Sequence, residues 1–598
     1  MDLILAHGEP AGGAALHEIL WASGVAAVIF VALGLFGAAH RAGRTTMLTK
    51  TGAFAARVSG LPAWSALPAA VAGGALLLAV FGFYWDVASH IDDGRDPGPF
   101  ANPSHYFIIF GLLGIAVAGY LGALLGGDRQ SPTAVRVREG WSVPLGSVLL
   151  MMCGLIAVAG FPLDDMWHRL FGQDVTLWGP THIQMVGGAA LSTLALWVLI
   201  VEGIRAVRAS GGRVTVALRA HETVIAGSFL LGLSALQAEF DYSVPQFRLL
   251  FHPVLLAMAA AIALVPARIR LGRGGALKAV AFFLIVRGIL TLVVGPGFGH
   301  TTLHFPLYIA EALLVELVAL RVSTDKHIKF GARAGALIGT LGVAAEWGWS
   351  QVWMTMSWTQ SLFPEVALAL VAGVAGGVLG GLIGRSLDGP TERERVPLAL
   401  GVATGAALIV CLAYPLPITA VDGSASVALD NPTGPSTSAT VVLEPPDLAD
   451  DAEWLNVTAW QGGGSVIAPL EQTGPGEYRT TADFPIHDDW KALIRLHTGS
   501  AVVAVPIFLP ADAGIPADET PAEPRFTRAF VPDKQVILRE AKDTPQWMSV
   551  TGNSVLGLIV IVWIAVLGWA LRRMYRDGSA APAARSRYVP GEVRLGTR

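Results

Sequence analysis

The stretch WSALPAAVAGGALLLAVFGFYWDVASH, residues 64–90, decides how the rest of the chain is read. From Trp64 to Trp85 it carries no charged side chain, and about 20 apolar residues is the length of helix that crosses a hydrocarbon core. It then ends on Asp86 and His90. Residues four apart on a helix lie on one face, one turn from each other, so the carboxylate and the imidazole converge.

Windows of this kind recur from 18–38 to 550–571, among them 305–320 and 397–416. They predict a mainly α, polytopic transmembrane helix bundle of about 13 helices. The chain is 53% hydrophobic and 14% charged, with a mean hydropathy of +0.56, whereas soluble chains carry about 25% charged residues. A formal net charge of -4, with no long basic run outside the inter-helix loops, argues against nucleic acid as a partner. Cys153 and Cys411 both fall in apolar stretches, so a disulfide framework and a cysteine zinc site are not expected, and a metal would have to use His and carboxylate. Met1–Pro10 has no basic segment ahead of its apolar run and reads as retained, not as a cleaved signal peptide.

Three parts are expected: 1–417, a transmembrane helical domain with duplicated Asp/His hairpins; 418–548, an extracytoplasmic β-sandwich; and 549–598, a final transmembrane helix with a cytoplasmic tail. The middle part has β-prone runs at Ala439–Leu443, Trp454–Trp460, Ala492–Leu496 and Ala501–Phe508, separated by Gly, Pro and Asp. Its His487 and His497 read as surface or strand residues, not ligands. Sidedness follows from Lys and Arg, which cytoplasmic short loops retain. Segments 41–57, 136–138, 205–219, 268–273, 326–333, 393–395 and 572–576 are rich in them, while the alternate loops hold only Arg95, Arg169 and Arg248. The C-terminus is therefore expected inside, and the N-terminus and 418–548 outside, in the plasma membrane.

The outer loops contain an internal repeat. The first copy reads Gly82-Phe83-x-x-Asp86-x-x-x-His90, then a Gly/Pro-rich loop, then Pro103-Ser104-His105; the second reads Gly160-Phe161-x-x-Asp164-x-x-x-His168, then a loop, then Pro180-Thr181-His182. Each copy spans a helix end, a loop and the start of the next helix, where proline is well tolerated. The third group thus returns to the depth of the first two, and Ser104 or Thr181 can bond nearby helix-end groups. One carboxylate and two imidazoles suit iron, copper or zinc, and ligand rules alone do not choose among them. Taken singly, each of these residues could also be a solvated loop residue; the duplication is what argues for Asp86, His90, His105, Asp164, His168 and His182 as metal ligands.

The run Asp164-Asp165-Met166-Trp167-His168, followed by Asp174-x-Thr176 and Pro180-Thr181-His182-Ile183, resembles the copper-binding segment found in a membrane-embedded component of the copper membrane monooxygenases, the particulate methane and ammonia monooxygenases. The resemblance covers roughly residues 80–190. It implies copper as the cofactor, with Asp164, His168 and His182 as one ligand set and Asp86, His90 and His105 as another. Two departures stand out: the first copy has a loop one residue longer and Asp where the family's second site has Asn, and the family divides its work among three subunits, one with large cupredoxin domains. In 418–548 the residues Pro475, Gly476, Tyr478 and Trp490 resemble small copper-associated periplasmic sandwiches, a pattern that also suits any immunoglobulin-like module.

Further polar residues sit at the expected outer boundary. Glu239 and Asp241, before His252, suit a hydrogen-bonded rim; His300 and His304 suit ligands or a proton relay; the role of Glu346 is open. Arg287 and Glu311 flank the turn at 298–301 and are expected to form an ion pair, since intramembrane charges are costly unless paired. Trp85, Trp167, Phe171 and Trp178 are expected to wall the site.

The function these readings favour is a copper-dependent, monooxygenase-like membrane oxidoreductase; the alternative is a copper uptake, storage or delivery protein. The expected partners are the bilayer, further membrane subunits or a second copy, and a small apolar substrate or a copper donor. A midplane transporter fits less well, because the Asp/His groups gather at one face. The topology is testable: a reporter fused after residue 425 is expected to be active outside the cell and one fused after Arg573 inside, and the reverse pattern would put every proposed ligand on the cytoplasmic side.

Overall fold

The structure, a computed structural model, describes residues 13–96, 98–127, 131–172, 176–389, 397–540, 542 and 544–579. Met1–Pro10 and Asp174, both of which enter the sequence reading, lie outside the described residues. The chain is mostly helical, and among the described residues eleven helices are long and apolar enough to cross a membrane. Their exposure fits lipid better than water: helix Leu16–Arg41 buries only Gly37, while its Trp21 and Phe30 are 74% and 79% exposed.

Two expected spans are shorter. The window 305–320 yields an 11-residue helix, Ile309–Ala319, and 397–416 a 16-residue helix, Leu398–Ala413. Pro306 disfavours helix at the residue before it, and the chain stays irregular up to Tyr308, whose φ of 59° is left-handed. Pro397 and Pro415 bracket the other helix. The basic segment 41–57 contains a further helix, Met47–Ser59.

Where helix packing is closest, the residues are small, as expected where apolar side chains gain little by leaving lipid and close backbone contact supplies the attraction. Gly331, Gly335 and Gly339 recur every four residues and face Ala369, Gly373 and Gly377 of helix Ala367–Asp388. A Cβ added at Gly335 would run into the carbonyl oxygen of Gly373. By contrast, a Cβ at Gly73 would meet nothing within 4 Å.

Arg287 does not pair with Glu311. Residues 293–297 widen into a π turn and the chain then runs irregularly to Tyr308. Glu311 is thereby carried against Gly342, one turn from Glu346. Arg287 donates instead to Asp241 and lies 4.3 Å from the ring centroid of Tyr84.

Nine strands of the 418–548 region form one sheet in which every neighbouring pair is antiparallel, and two short ones, Ser436–Thr437 and Phe484–Pro485, pair separately. From edge to edge it runs Arg525–Ala529, Ser424–Leu429, Ala439–Glu444, Glu477–Thr480, Ser465–Gly474, Ala452–Trp460, Lys491–Thr498, Ala501–Phe508 and Val531–Pro532. The sheet that was expected as a two-sheet sandwich is therefore continuous. Strand Ser465–Gly474 joins its halves, pairing with Ala452–Trp460 through residues 465–469 and with Glu477–Thr480 through 470–474. Arg528 Nη1 reaches the Pro506 carbonyl at 2.7 Å, so the sheet nearly closes on itself.

This domain stands on two helix ends. The last carbonyls of a helix have no partner within it. At the end of Ala63–Asp92, the amides of Gln461 and Gly463 donate to the Ile91 and Asp92 carbonyls at 3.0 and 2.9 Å. At the end of Leu145–Phe171, Lys542 Nζ donates to the Arg169 carbonyl at 3.2 Å and Thr544 to that of Leu170. At the opposite end of the bundle, arginines reach backbone carbonyls of other segments: Arg205 donates to Met574 O and Leu387 O, Arg573 to Thr133 O, and Arg41 to Gly126 O.

Gly335→Leu is expected to lower the thermal midpoint of the purified protein sharply or abolish its accumulation, since overpacking costs about 1–3 kcal/mol or more. Gly73→Leu should leave the midpoint nearly unchanged, and equal effects at the two positions would refute the packing described.

Candidate functional site

Both copies of the repeat are helix hairpins, Ala63–Asp92 with Pro103–Leu124 and Leu145–Phe171 with Pro180–Ala209. Their Asp/His ends lie on the face that carries the sheet domain. In the first copy, His105 Nε2 lies 2.9 Å from Asp86 Oδ1 and 3.5 Å from Asp96 Oδ2, and His90 Nε2 lies 3.4 Å from Asp96 Oδ2. In the second, His182 Nε2 lies 3.3 Å and His168 Nε2 3.7 Å from Asp164 Oδ1. The donor atoms of each group lie within 4.8 Å of one another. Ligands bound at about 2.0–2.2 Å are separated by roughly 3–4.4 Å, so these separations reach slightly beyond the span of a closed metal site.

The supporting bonds are duplicated as well. Ser104 Oγ donates to Asp86 Oδ1 at 2.7 Å, and Thr181 Oγ1 to Asp164 Oδ1 at 2.5 Å. Each of these hydroxyls sits at the second position of its helix, just after the proline. His105 Nδ1 faces the Pro99 carbonyl at 2.6 Å and His182 Nδ1 the Thr176 carbonyl at 2.8 Å, both six residues back. A carbonyl only accepts, so Nδ1 carries the proton; in the neutral ring Nε2 is left with its lone pair directed at the carboxylates. Asn102 caps the helix start by accepting from Ser104 N, and it donates to Asp86 and Asp96 at 3.1 Å.

Both clusters line one chamber of about 310 Å³. Its roof is the sheet domain, which contributes Thr458, Trp460, Gln461, Lys491 and Arg495. Gln461 Nε2 donates to the His90 carbonyl at 3.0 Å, and Lys491 donates to Gln461 Oε1. Burial pushes the Lys491 ammonium down to about 8, with Arg539 contributing in the same direction.

All six residues expected as ligands, Asp86, His90, His105, Asp164, His168 and His182, are therefore brought together in two threes. Asp96 was missed. The sequence held a signal for it, because Asp96 follows His90 by six residues and Asp174 follows His168 by six; Asp174 lies outside the described residues. The expected aromatic wall is corrected: among the described residues lining the chamber, Trp85, Trp167, Phe171 and Trp178 are absent, and Phe83, Phe161 and Trp460 take that place. Trp85 and Trp167 each adjoin a cluster residue in sequence and point about 100° away from it, whereas Phe83 and Phe161 precede their aspartates by three and share their face. Trp85 packs on Phe298 at 4.9 Å and Trp167 on Phe171 at 4.2 Å.

Of the other candidates, Glu239 lines the chamber and accepts from Thr176 Oγ1 at 2.6 Å and Leu177 N at 2.7 Å, which ties down the second loop. Asp241 belongs to the Arg287 pair. His252 stacks on Phe240 and accepts from Trp358 Nε1 at 3.0 Å. His300 and His304 diverge, the first to Asp92 at 3.1 Å and the second to Trp353, 5.0 Å between rings. In the sheet, His487 is half-exposed beside Asp488, while His497 packs on Trp454 at 4.4 Å, where burial pushes its pKa down to about 3.

No family model, curated protein or solved structure matches the chain.

Ser104→Ala and Thr181→Val each remove a hydroxyl from a mostly buried carboxylate at little change of shape. Each is expected to cost about 1–3 kcal/mol, read as a fall of a few degrees in thermal midpoint. An unchanged midpoint in both would mean that these hydroxyls do not hold the aspartates.

Proposed function

We propose that the chain is an integral membrane metalloprotein whose two Asp/His clusters bind copper and serve a monooxygenase-type oxidoreductase. The observation that carries this reading is the approach of His105 Nε2 to Asp86 Oδ1 at 2.9 Å while Nδ1 already serves Pro99. With a neutral ring these are two acceptors facing each other, which calls for a cation between them: a second proton on the imidazole or a metal ion. A second cluster with the same Nδ1–carbonyl arrangement, in the same chamber, favours the metal. Ligand chemistry admits iron, copper and zinc. Copper is chosen on the resemblance of Asp164–Ile183 to the copper-binding segment of the copper membrane monooxygenases.

When bound, copper would supply one-electron redox chemistry and dioxygen activation. The chain's own residues hold the ion with Asp and His, orient the carboxylates through Ser104 and Thr181, and limit water through Phe83, Phe161 and Trp460. The same reading places the sheet domain outside the plasma membrane and the C-terminus inside, and it leaves room for further membrane subunits or a second copy. The competing role, copper uptake, storage or delivery, is less favoured: among the described residues, the domain's contribution to the chamber contains no His, Cys or Met through which a soft ion would be passed on.

Metal analysis and EPR of the purified protein test this. Copper is expected at about one ion per intact cluster, and His168→Ala/His182→Ala and His90→Ala/His105→Ala should each remove one share. A folded double variant that keeps all its metal, or zinc alone with no paramagnetic signal, would falsify the proposal. Reductant-dependent oxygen uptake by native membranes with small alkanes or ammonia, lost in Asp164→Asn, is expected of an oxidoreductase; a protein-dependent change in cellular copper with no such uptake assigns the chain to copper handling.

A further inference from the structure

A second cavity, about 970 Å³, lies among helices Met47–Ser59, Ala63–Asp92, Pro103–Leu124, Pro180–Ala209, Val216–Ser234 and Gly275–Leu292. Its lining is almost wholly apolar. Its lining includes Phe54 and Val58, on the side of the basic segment 41–57, and Ile289, near the opposite end of the helices, which are 62%, 68% and 56% exposed on the surface that membrane helices would turn to lipid. Phe83, Ile108, Met185 and Val186 line both this cavity and the chamber of the Asp/His clusters. An apolar space that opens towards lipid thus shares a wall with the polar site.

We propose that this cavity binds the hydrocarbon chain of a long-chain neutral lipid, an alkane or fatty alcohol drawn laterally from the bilayer, with its reacting end presented to the chamber. This assignment names a substrate class for the chamber, a long chain in place of the small apolar substrate expected from the sequence, and so rests on the reading of the chamber as the reacting site. Size favours a long chain, because drug-sized ligands fill cavities of about 300–1,000 Å³ and this one lies at the upper end. The shared wall favours a neutral end group: Phe83, Ile108, Met185 and Val186 offer a charged headgroup no polar partner as it is stripped of water. The chamber's cations are also engaged, Arg95 with Asp512 at 2.9 Å, Arg495 with Asp533 at 2.6 Å, Arg539 with the Pro510 and Asp518 carbonyls, and Lys491 with the Gln461 amide oxygen. A phosphate or carboxylate arriving there would face Asp86, Asp96, Asp164 and Glu239 with those cations already committed.

The full-length protein in native membranes can be photolabelled with a hexadecanol carrying a diazirine on the chain beside its hydroxyl group, and the adducts mapped by mass spectrometry. Labelling is expected at Met185 or Val186 and, as a lipid-surface control, at Leu292, which is 65% exposed and outside the cavity lining. Gly73→Phe puts a ring where a Cβ meets nothing within 4 Å and where Gly73 lines the cavity. It should cut the inner labelling at least tenfold and leave Leu292 labelling and metal content unchanged. The corresponding palmitate probe should label the inner positions at least tenfold less than the alcohol. Absence of inner adducts in the unaltered protein overturns the proposal, whatever the variant does. Inner labelling that is insensitive to Gly73→Phe, or equal labelling by palmitate, overturns the route or the neutral end group. If metal analysis of the protein from native membranes finds none while inner labelling persists, the metal reading fails on its own test and the lipid site stands.

Discussion

The constraint on which the rest depends is the set of carbonyls at the ends of helices Ala63–Asp92 and Leu145–Phe171. A helix that stops leaves such groups unsatisfied, and burying them without partners is costly. Here the partners come from far along the chain: the amides of Gln461 and Gly463 at one helix, and Lys542 and Thr544 at the other. Because those helix ends also carry Asp86, His90, Asp164 and His168, capping the backbone places a roof over the side chains. The chamber is therefore a consequence of closing the helices. Its partial exclusion of water strengthens every electrostatic contact inside it, since charges interact more strongly as the effective dielectric falls.

Much of this was legible in the sequence because it depends on local periodicity. Apolar length predicts the spans, and the four-residue spacing of Asp and His predicts a shared helix face. The Pro-Ser/Thr-His starts of the second helices, one per hairpin, predict the return of a third group. What was not legible depends on distant contacts or on loop paths. Asp96 lies in a Gly/Pro-rich loop with no periodicity to orient it, and only its offset from His90, matched by Asp174 after His168, marks it. That both clusters face one chamber follows from hairpin-to-hairpin packing, which the repeat alone does not specify.

The mispairing expected for Arg287 has the same origin. Symmetry about the 298–301 turn assumed two regular helices, but the π turn at 293–297 and the irregular run to Tyr308 shift the second helix away. Asp241, next to a short helical break at Ala235–Gln237, takes the arginine. Glu311 is fully buried beside Gly342, where any larger residue would meet its carboxyl at about the distance of a hydrogen bond: a Cβ there would lie 3.0 Å from Oε1. In both cases a departure from α geometry decided a charge pairing that spacing alone would have assigned otherwise.

Duplication has also left the two clusters unequal. The first combines Asp86 and Asp96 with two imidazoles and is braced by Asn102, whose amide holds both carboxylates. At the corresponding helix start the second has Gly179, which has no side chain to do this, and Asp164 relies on Thr181. A braced carboxylate loses less freedom on binding a cation, so the bracing by Asn102 favours a hard, oxygen-preferring ion at the first cluster. The two hairpins thus share one scaffold but hold their carboxylates with different rigidity in a common chamber, so whatever occupies it meets two unlike polar ends next to one apolar wall.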